Sequence, residues 1–342
     1  MPTWPDLTVR PKVSSRTDLM RALVTGAAGQ DGMILCSMLD RAGCEVVAVV
    51  KPTSDATLLR RYVPTATILE VDLADGPGLR AVVSDCAPQQ IFNLGGFTSP
   101  SASWEHEDEV YEVNVAAVAV LLEAQRKLPG TRLFQASSAS IFEGVDRSPQ
   151  TERSERVPRS PYARSKAESM TLVDAARNRG AFAVCGILYN HESPLRGENF
   201  VTRKVSLGVA RIAAGLQERL DLGDVEVARD WGWAPDYVAA MRLMLASDVP
   251  HDYVLATGIS HRLSFFIDRA FRAAGIEDWS DRVDAHSDRS HQGETNILVG
   301  DSTAAYRELG WRHTVDFDAM AAAMVQHDMR QLNQPDAPWT DF

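Results

Sequence analysis

The chemistry-bearing residues of this 342-residue chain begin with Tyr162-Ala-Arg-Ser-Lys166, a phenol and an ammonium spaced to share one face of a helix. An ammonium in that position favours the phenolate, so the tyrosine could take or give a substrate hydroxyl proton while a hydride moves. The spacing alone also describes a solvated helix face. Its surroundings argue otherwise: Arg159-Ser-Pro161 starts a helix, and Ser138 follows an apolar run 24 residues upstream.

A second constellation lies near the N-terminus. Ala22-Leu-Val-Thr25 reads as a short buried strand, followed by Gly26-Ala-Ala-Gly29-Gln-Asp-Gly32 and an apolar helix from Met33 to Leu39. Gly26 permits a tight turn, Gly29 lets backbone N–H groups approach a pyrophosphate, and Gly32 allows close helix–strand packing. A strand before and a helix after are the context that makes such a glycine triplet a dinucleotide turn.

These groups need a scaffold that brings strand ends together. The chain alternates strand 45–50, strand 67–71, helix 77–86, strand 90–94, helix 107–127, strand 131–136, helix 161–179 and strand 182–188, which predicts an α/β fold with a Rossmann-like, doubly wound parallel sheet. Substrate is expected at the carboxyl ends of the strands, where Asn93-Leu-Gly-Gly96, Gln135-Ala-Ser-Ser138 and Asn190-His-Glu-Ser193 emerge. After about residue 190 the pattern becomes irregular, with turns and short helices, and Tyr253-Val-Leu-Ala256 reads as a strand returning to the sheet. The expected division is a flexible arm over 1–20, a cofactor-binding domain over 21–189 with a return segment at about 231–257, and a smaller interleaved substrate domain over 190–230 and 258–342.

The net charge of −11 argues against nonspecific binding to nucleic acid or anionic membranes. Residues 1–20 offer no apolar stretch for a signal peptide, and no later run reaches the roughly 18 apolar residues of a membrane span, so the cytosol is the default location. The four cysteines (Cys36, Cys44, Cys86, Cys185) lack CxxC spacing, and the eight histidines lack paired-ligand spacing; no metal site is expected.

From about residue 21 to 330 the chain resembles the GDP-mannose 4,6-dehydratases, within the extended short-chain dehydrogenase/reductases. The resemblance is carried by Thr25-Gly-Ala-Ala-Gly-Gln-Asp-Gly32, Asn93-Leu-Gly95, Pro158-Arg-Ser-Pro-Tyr162, Asn190-His-Glu-Ser-Pro-Leu-Arg-Gly197, Asn199-Phe-Val-Thr-Arg-Lys204, Arg229-Asp-Trp-Gly232 and Asp236-Tyr-Val238. It implies C4 hydride transfer on a GDP-hexose, GDP-mannose first, with Tyr162, Ser138 and Lys166 catalytic. It also implies a cofactor set of Gly26, Gly29, Gln30, Asp31, Gly32, Lys51, Thr53, Asp72, Leu73, Leu94, Gly95, Tyr162, Lys166 and His191. The implied substrate set is Asn190, Glu192, Arg196, Asn199, Val201, Lys204, Arg229, His291 and Glu294. Arg196, Arg203, Lys204, Arg211 and Arg229 gather cationic donors suited to a diphosphate, although Arg211 also reads as plain helix decoration. Helices 107–127 and 161–179 resemble the family's dimer-forming pair, which implies a homodimer or homotetramer.

The strand ending at Val50 leads into Lys51 rather than the Asp or Glu that accepts from a ribose 2′-hydroxyl; Lys51, Thr53 and Ser54 would suit a 2′-phosphate, so the expected cofactor is NADP.

The chain departs from the family at two places. The dehydratases carry a glutamate two residues after the Ser138 position, and here Ser140 stands there; a hydroxyl of ordinary pKa is no useful base for the C5 proton. Ser137-Ser-Ala-Ser140 followed by the apolar pair Ile141-Phe142 resembles the corresponding strand end of 4-epimerases and 4-ketoreductases in the same superfamily, which need no carboxylate there. Glu143, in a loop with an extra residue, could enter the site, but a solvated carboxylate is the expected state. His291 stands where the dehydratases have an arginine, with Arg289 close by. Three functions follow: a GDP-mannose 4,6-dehydratase-like enzyme, a GDP-sugar 4-epimerase or 4-ketoreductase on that scaffold, and a noncatalytic NADP-binding protein, against which the intact Tyr–Lys pair argues.

Overall fold

The structure, a computed structural model, describes residues 19–286, 298–334 and 339. The expected 1–20 arm lies almost wholly outside the described residues, as do His291, Arg289 and Glu294. Seven strands form one parallel sheet: β1 (Arg21–Thr25), β2 (Glu45–Val50), β3 (Thr67–Glu70), β4 (Gln90–Asn93), β5 (Arg132–Ser138), β6 (Phe182–Leu188) and, after a long excursion, β10 (Tyr253–Leu255). Their order, β10-β6-β5-β4-β1-β2-β3, turns around between β1 and β4, where a doubly wound sheet opens a crevice. Both faces are covered, which is why Val46 to Val50 reads as an unbroken apolar run and is buried throughout. Each such Val or Leu contributes roughly 1.5–3 kcal/mol on burial.

The helices that matter for the site start where local chemistry permits. Helix α1 (Gln30–Arg41) begins at Gly29 with no side-chain cap. Helix α6 (Pro161–Arg177) begins with Ser160 accepting from the Ala163 N–H and Pro161 at the first helical position, where a missing donor costs nothing. At its far end Arg177 makes two hydrogen bonds to Asp252, at 2.8 and 2.9 Å, fixing the helix beside β6. The run expected as helix 107–127 is interrupted: α4 (Glu107–Tyr111) and α5 (Ala117–Gln125) flank a π-helical turn at Glu112–Ala116.

The region after 190 is more regular than its sequence pattern promised. A three-stranded sheet joins β7 (Asn190–Glu192), β9 (Ala228–Trp233) and β11 (Ser260–Arg262), and β8 (Leu220–Leu222) pairs with β12 (Val283–Ala285). Four of its helices are not short: α7 (Val201–Ala213), α8 (Ala234–Ala246), α9 (Leu263–Ala273) and α11 (Phe317–Asn333). Gly208 is what lets α7 lie on β8, since a Cβ there would sit 2.1 Å from Leu220 Cδ2.

Candidate active site

Tyr162 and Lys166 are both buried in the first two turns of α6, and the Ser138 hydroxyl at the carboxyl end of β5 favours the ionised form of the phenol. The lysine does not reach the phenol oxygen. Its Nζ lies 5.8 Å from the ring centroid and donates to the Ala136 carbonyl at 3.1 Å. Burial raises the Tyr162 pKa above its ordinary value against the pull of the Ser138 bond and the Arg196 charge. Desolvation brings Lys166 down to about 8. The expected depression of the phenol by its lysine is therefore corrected: in this arrangement burial dominates both groups, because neither charge touches the other.

A buried polar chain links these groups to the glycine turn. Thr25 donates to Asn93, Asn93 Nδ2 donates to Gln135 Oε1 at 2.7 Å, and Gln135 Nε2 donates at 2.9 Å to the same Ala136 carbonyl that holds Lys166. Asn114 is a residue beside this site that sequence reading missed. From the π turn its amide brackets Phe97, accepting from the N–H at 2.8 Å and donating to the carbonyl at 3.2 Å, and it donates to Ser165 at 3.0 Å. It thus ties the loop after β4 to α6 beside Lys166, close enough that a Cβ on Gly96 would lie 2.6 Å from Asn114 Oδ1 and 3.5 Å from Lys166 Nζ. Its signal was a lone asparagine within the apolar run Val113 to Val118, and a π turn is a frequent mark of a functional position.

The glycines form a cradle through backbone approach. Gly26 adopts φ +64° and a Cβ there would lie 2.6 Å from Gly95 Cα and 2.9 Å from the Leu94 carbonyl carbon; one on Gly32 would lie 2.3 Å from the Gly26 oxygen. Leu73 closes over Gly95, and Asp72 turns the chain after β3 by accepting from the Ala74 N–H at 3.0 Å. The uncapped first turn of α1 faces this crevice, so the chain fits a dinucleotide pyrophosphate: small residues where backbone must approach it, and a helix start whose N–H groups lack side-chain partners. Lys51 and Thr53 are exposed beside β2, with Lys51 3.5 Å from Glu109.

Gln30 and Asp31 turn away from that crevice toward the segment after β6. His191 Nε2 lies 2.8 Å from Asp31 Oδ2 and its Nδ1 2.7 Å from the Tyr189 carbonyl; its ring stacks on Tyr237 at 4.7 Å. Gln30 Nε2 donates to the His191 carbonyl and Ser193 donates to Gln30 Oε1. Burial alone would discharge the imidazole, but the Asp31 charge and hydrogen bond outweigh it and hold His191 above its ordinary pKa. Burial likewise opposes the Asp31 charge, yet His191 holds that carboxyl below its usual range.

The substrate residues do not form one cluster. Arg196 lies 3.3 Å from Glu192, stacks over Phe200 at 3.5 Å, and acts electrostatically on Tyr162, Asp31 and His191. Arg203 is corrected: it is ion-paired with buried Asp328 of α11 and braces α7 against that helix. Lys204, whose Nζ donates at 2.6 Å to the Asp221 carbonyl, lines a cavity of about 250 Å³ together with Arg211. Arg229 on β9 bonds the Ala228 carbonyl at 2.9 Å, Asn190 and Asn199 are exposed, and Val201 opens α7 half-buried.

At the end of β5, Ser138 Oγ caps the following turn by accepting from the Ser140 N–H at 3.2 Å. Ser140 stands half-buried two residues past Ser138. Glu143 is corrected too: it is not a solvated carboxylate but accepts from the backbone N–H groups of Arg159 and Ser160, at 3.2 and 3.0 Å, and from the Ser160 hydroxyl at 3.1 Å.

Fold, glycine cradle and the Ser–Tyr–Lys set together define an extended short-chain dehydrogenase/reductase. Within that class the chain belongs to the GDP-mannose 4,6 dehydratase family, whose model matches residues 23–324. It is 37% identical over 324 residues to GDP-mannose 4,6 dehydratase 1 of Arabidopsis thaliana, covering 90% of this chain and 89% of that one. It is 35% identical to GDP-mannose 4,6-dehydratase of Sinorhizobium fredii, covering 92% and 98%. Among solved structures it is similar to a UDP-glucose 4-epimerase of Thermus thermophilus in complex with NAD, with a TM-score of 0.78, 25% identity and coverage of 90% and 99%. No described helix is long and apolar enough to cross a membrane.

Proposed function

We propose that this protein acts on a GDP-hexose by reversible oxidation at sugar C4, with NADP as cofactor. The observation that carries the proposal is the buried Tyr162, whose ionised form Ser138 favours, with Lys166 one turn behind, beside a backbone cradle suited to a dinucleotide. Tyr162 takes the 4-hydroxyl proton, Ser138 bonds the reacting oxygen as it becomes a carbonyl, and Lys166 supplies positive charge behind the phenol. Bound nicotinamide supplies the acceptor and donor of the C4 hydride. Gly26, Gly29, Gly32, Leu94 and Gly95 would hold the cofactor's pyrophosphate and adenosine side, with Lys51 and Thr53 beside a 2′-phosphate. The resemblance of the segment around Lys204 to the family's substrate segment supports a GDP site at the cavity this lysine lines, and the names of the relatives support GDP-mannose as first substrate.

The net reaction turns on Ser140. Elimination of water across C5 and C6 needs a base with a pKa near working pH. Ser140 is none, and the Glu143 carboxylate is occupied by Arg159 and Ser160. The site therefore favours C4 epimerisation or 4-keto reduction over dehydration. Ser140→Glu tests this directly, since restoring a carboxylate should create or raise formation of a 4-keto-6-deoxy product from GDP-mannose; no change in that product would remove Ser140 as the block. Titration with both dinucleotides tests the cofactor: equal dissociation constants for NAD and NADP contradict the role given to Lys51.

A further inference from the structure

We infer that Glu143 is a positioning residue for Tyr162, holding the loop of Ser138 and Ser140 against the first turn of α6. This rests on the C4 oxidation reading above. The end of β5 passes into a 3₁₀ turn at Ala139–Phe142, whose Ile141 and Phe142 are buried. Beyond it the chain is clipped to the approach of α6 by backbone bonds from the Val157 N–H to the Ile141 carbonyl and from the Gly144 N–H to the Val157 carbonyl, both 2.8 Å. Those bonds leave the N–H groups of Arg159 and Ser160 facing the loop, and Glu143 accepts both.

Ser160 is shared between two tasks. Its hydroxyl donates to Glu143 and accepts from the Ala163 N–H at 3.1 Å, while Ser103 accepts from the Tyr162 N–H at 3.2 Å. The helix start that presents the phenol is thus held by three side chains from three segments, and Glu143 is the one that comes from the strand end bearing Ser138. A carboxylate there also suits the positive end of the helix. Burial is the main cause that holds the Tyr162 pKa up, and the Glu143 charge adds a smaller push in the same direction. These bonds make Glu143 a strut between the strand end and the helix start.

The test compares Glu143→Ala and Glu143→Gln in the full-length protein with NADP and GDP-mannose, reading C4 hydride exchange and amide hydrogen exchange over residues 159–163. Glu143→Ala should lower kcat by about tenfold to a hundredfold, since misplacing a reacting group by about 1 Å has that effect, and speed amide exchange at Arg159 and Ser160. KM should stay within about twofold, as expected for a group that acts only on turnover. Glu143→Gln keeps an acceptor without the charge; it should restore most of kcat and move the acid limb of the pH–rate profile to lower pH. Wild-type kcat in Glu143→Ala, or amide exchange unaltered in it, overturns the inference. So does a Glu143→Gln protein that keeps hydride exchange but loses a water-elimination activity shown by the wild type, because Glu143 would then be the C5 base. Wild type that exchanges no hydride overturns the reaction reading instead, and amide exchange then decides the positioning role by itself.

Discussion

The glycine turn around Gly26 and the cation-bearing segment from Arg196 to Arg229 are both read as phosphate sites, yet they are built in opposite ways. The turn works through backbone: Gly26, Gly32 and Gly95 approach so closely that no side chain fits, and α1 starts at Gly29 with no side-chain cap. The segment works through side chains, and those are already partnered, Arg203 with Asp328, Arg196 with Glu192, and Lys204 with the Asp221 carbonyl. Only the first can be recognised from residue type and spacing. In the second, a count of arginines overstates the site, because a buried guanidinium without a carboxylate would destabilise the fold.

Tyr162 sits at the seam between the two regions, and its removal should separate them most sharply. Tyr162→Phe is expected to lower turnover by about 10²–10⁴-fold while cofactor and GDP-sugar dissociation constants stay nearly unchanged. A variant with full activity would break the account of both halves at once.

Arg203→Ala and Lys204→Ala are neighbours on α7 with opposite expected readouts. Loss of Arg203 leaves Asp328 buried and unpaired, which should cost about 3–5 kcal/mol in denaturant unfolding. Loss of Lys204 should raise the KM for the GDP-sugar with little change in stability. Interchanged results would mean that Arg203 is the ligand contact. In the backbone-built half, Gly32→Ala places a Cβ 2.3 Å from the Gly26 oxygen and should cost roughly 1–3 kcal/mol together with cofactor affinity.

Lys166 gives an effect on stability with a definite pH dependence. Its pKa falls from 10.5 to about 8 on folding, so the unfolded chain binds its proton more tightly and the charged lysine opposes folding at neutral pH by on the order of 3 kcal/mol before its hydrogen bond is counted. Lys166→Met should abolish turnover yet leave the fold as stable or more so below pH 8, and that advantage should fade as pH rises toward 10.5. A variant destabilised at neutral pH and unchanged by alkali would contradict the burial argument.

The alternation of strands and helices was legible because a sheet covered on both faces needs apolar runs such as Val46–Val50, and the glycine turn because only small residues fit it. The placement of Tyr162 and Lys166 together in the first turns of one helix was legible because helix periodicity fixes one against the other. What was not legible is partner choice across the chain. Arg203 finds Asp328 at a separation of 125 residues, Glu143 finds Arg159 and Ser160 sixteen and seventeen residues on, and Lys166 chooses the Ala136 carbonyl over the phenol. None of these pairings has a period or a spacing rule. The regularity after residue 190 was missed for a related reason: its strands are three to six residues long and pair outside the main sheet.

The central claim is that Ser138, Tyr162 and Lys166 move the C4 hydride while Ser140 leaves C5 without a base. It is tested most directly by incubating wild-type protein with NADP and GDP-mannose deuterated at C4, then reading the masses of both sugar and cofactor. The account predicts deuterium passing between sugar and cofactor with the sugar losing no water. Rapid formation of a GDP-sugar lighter by one water would contradict it, and no deuterium movement at all would contradict the role of Tyr162 itself.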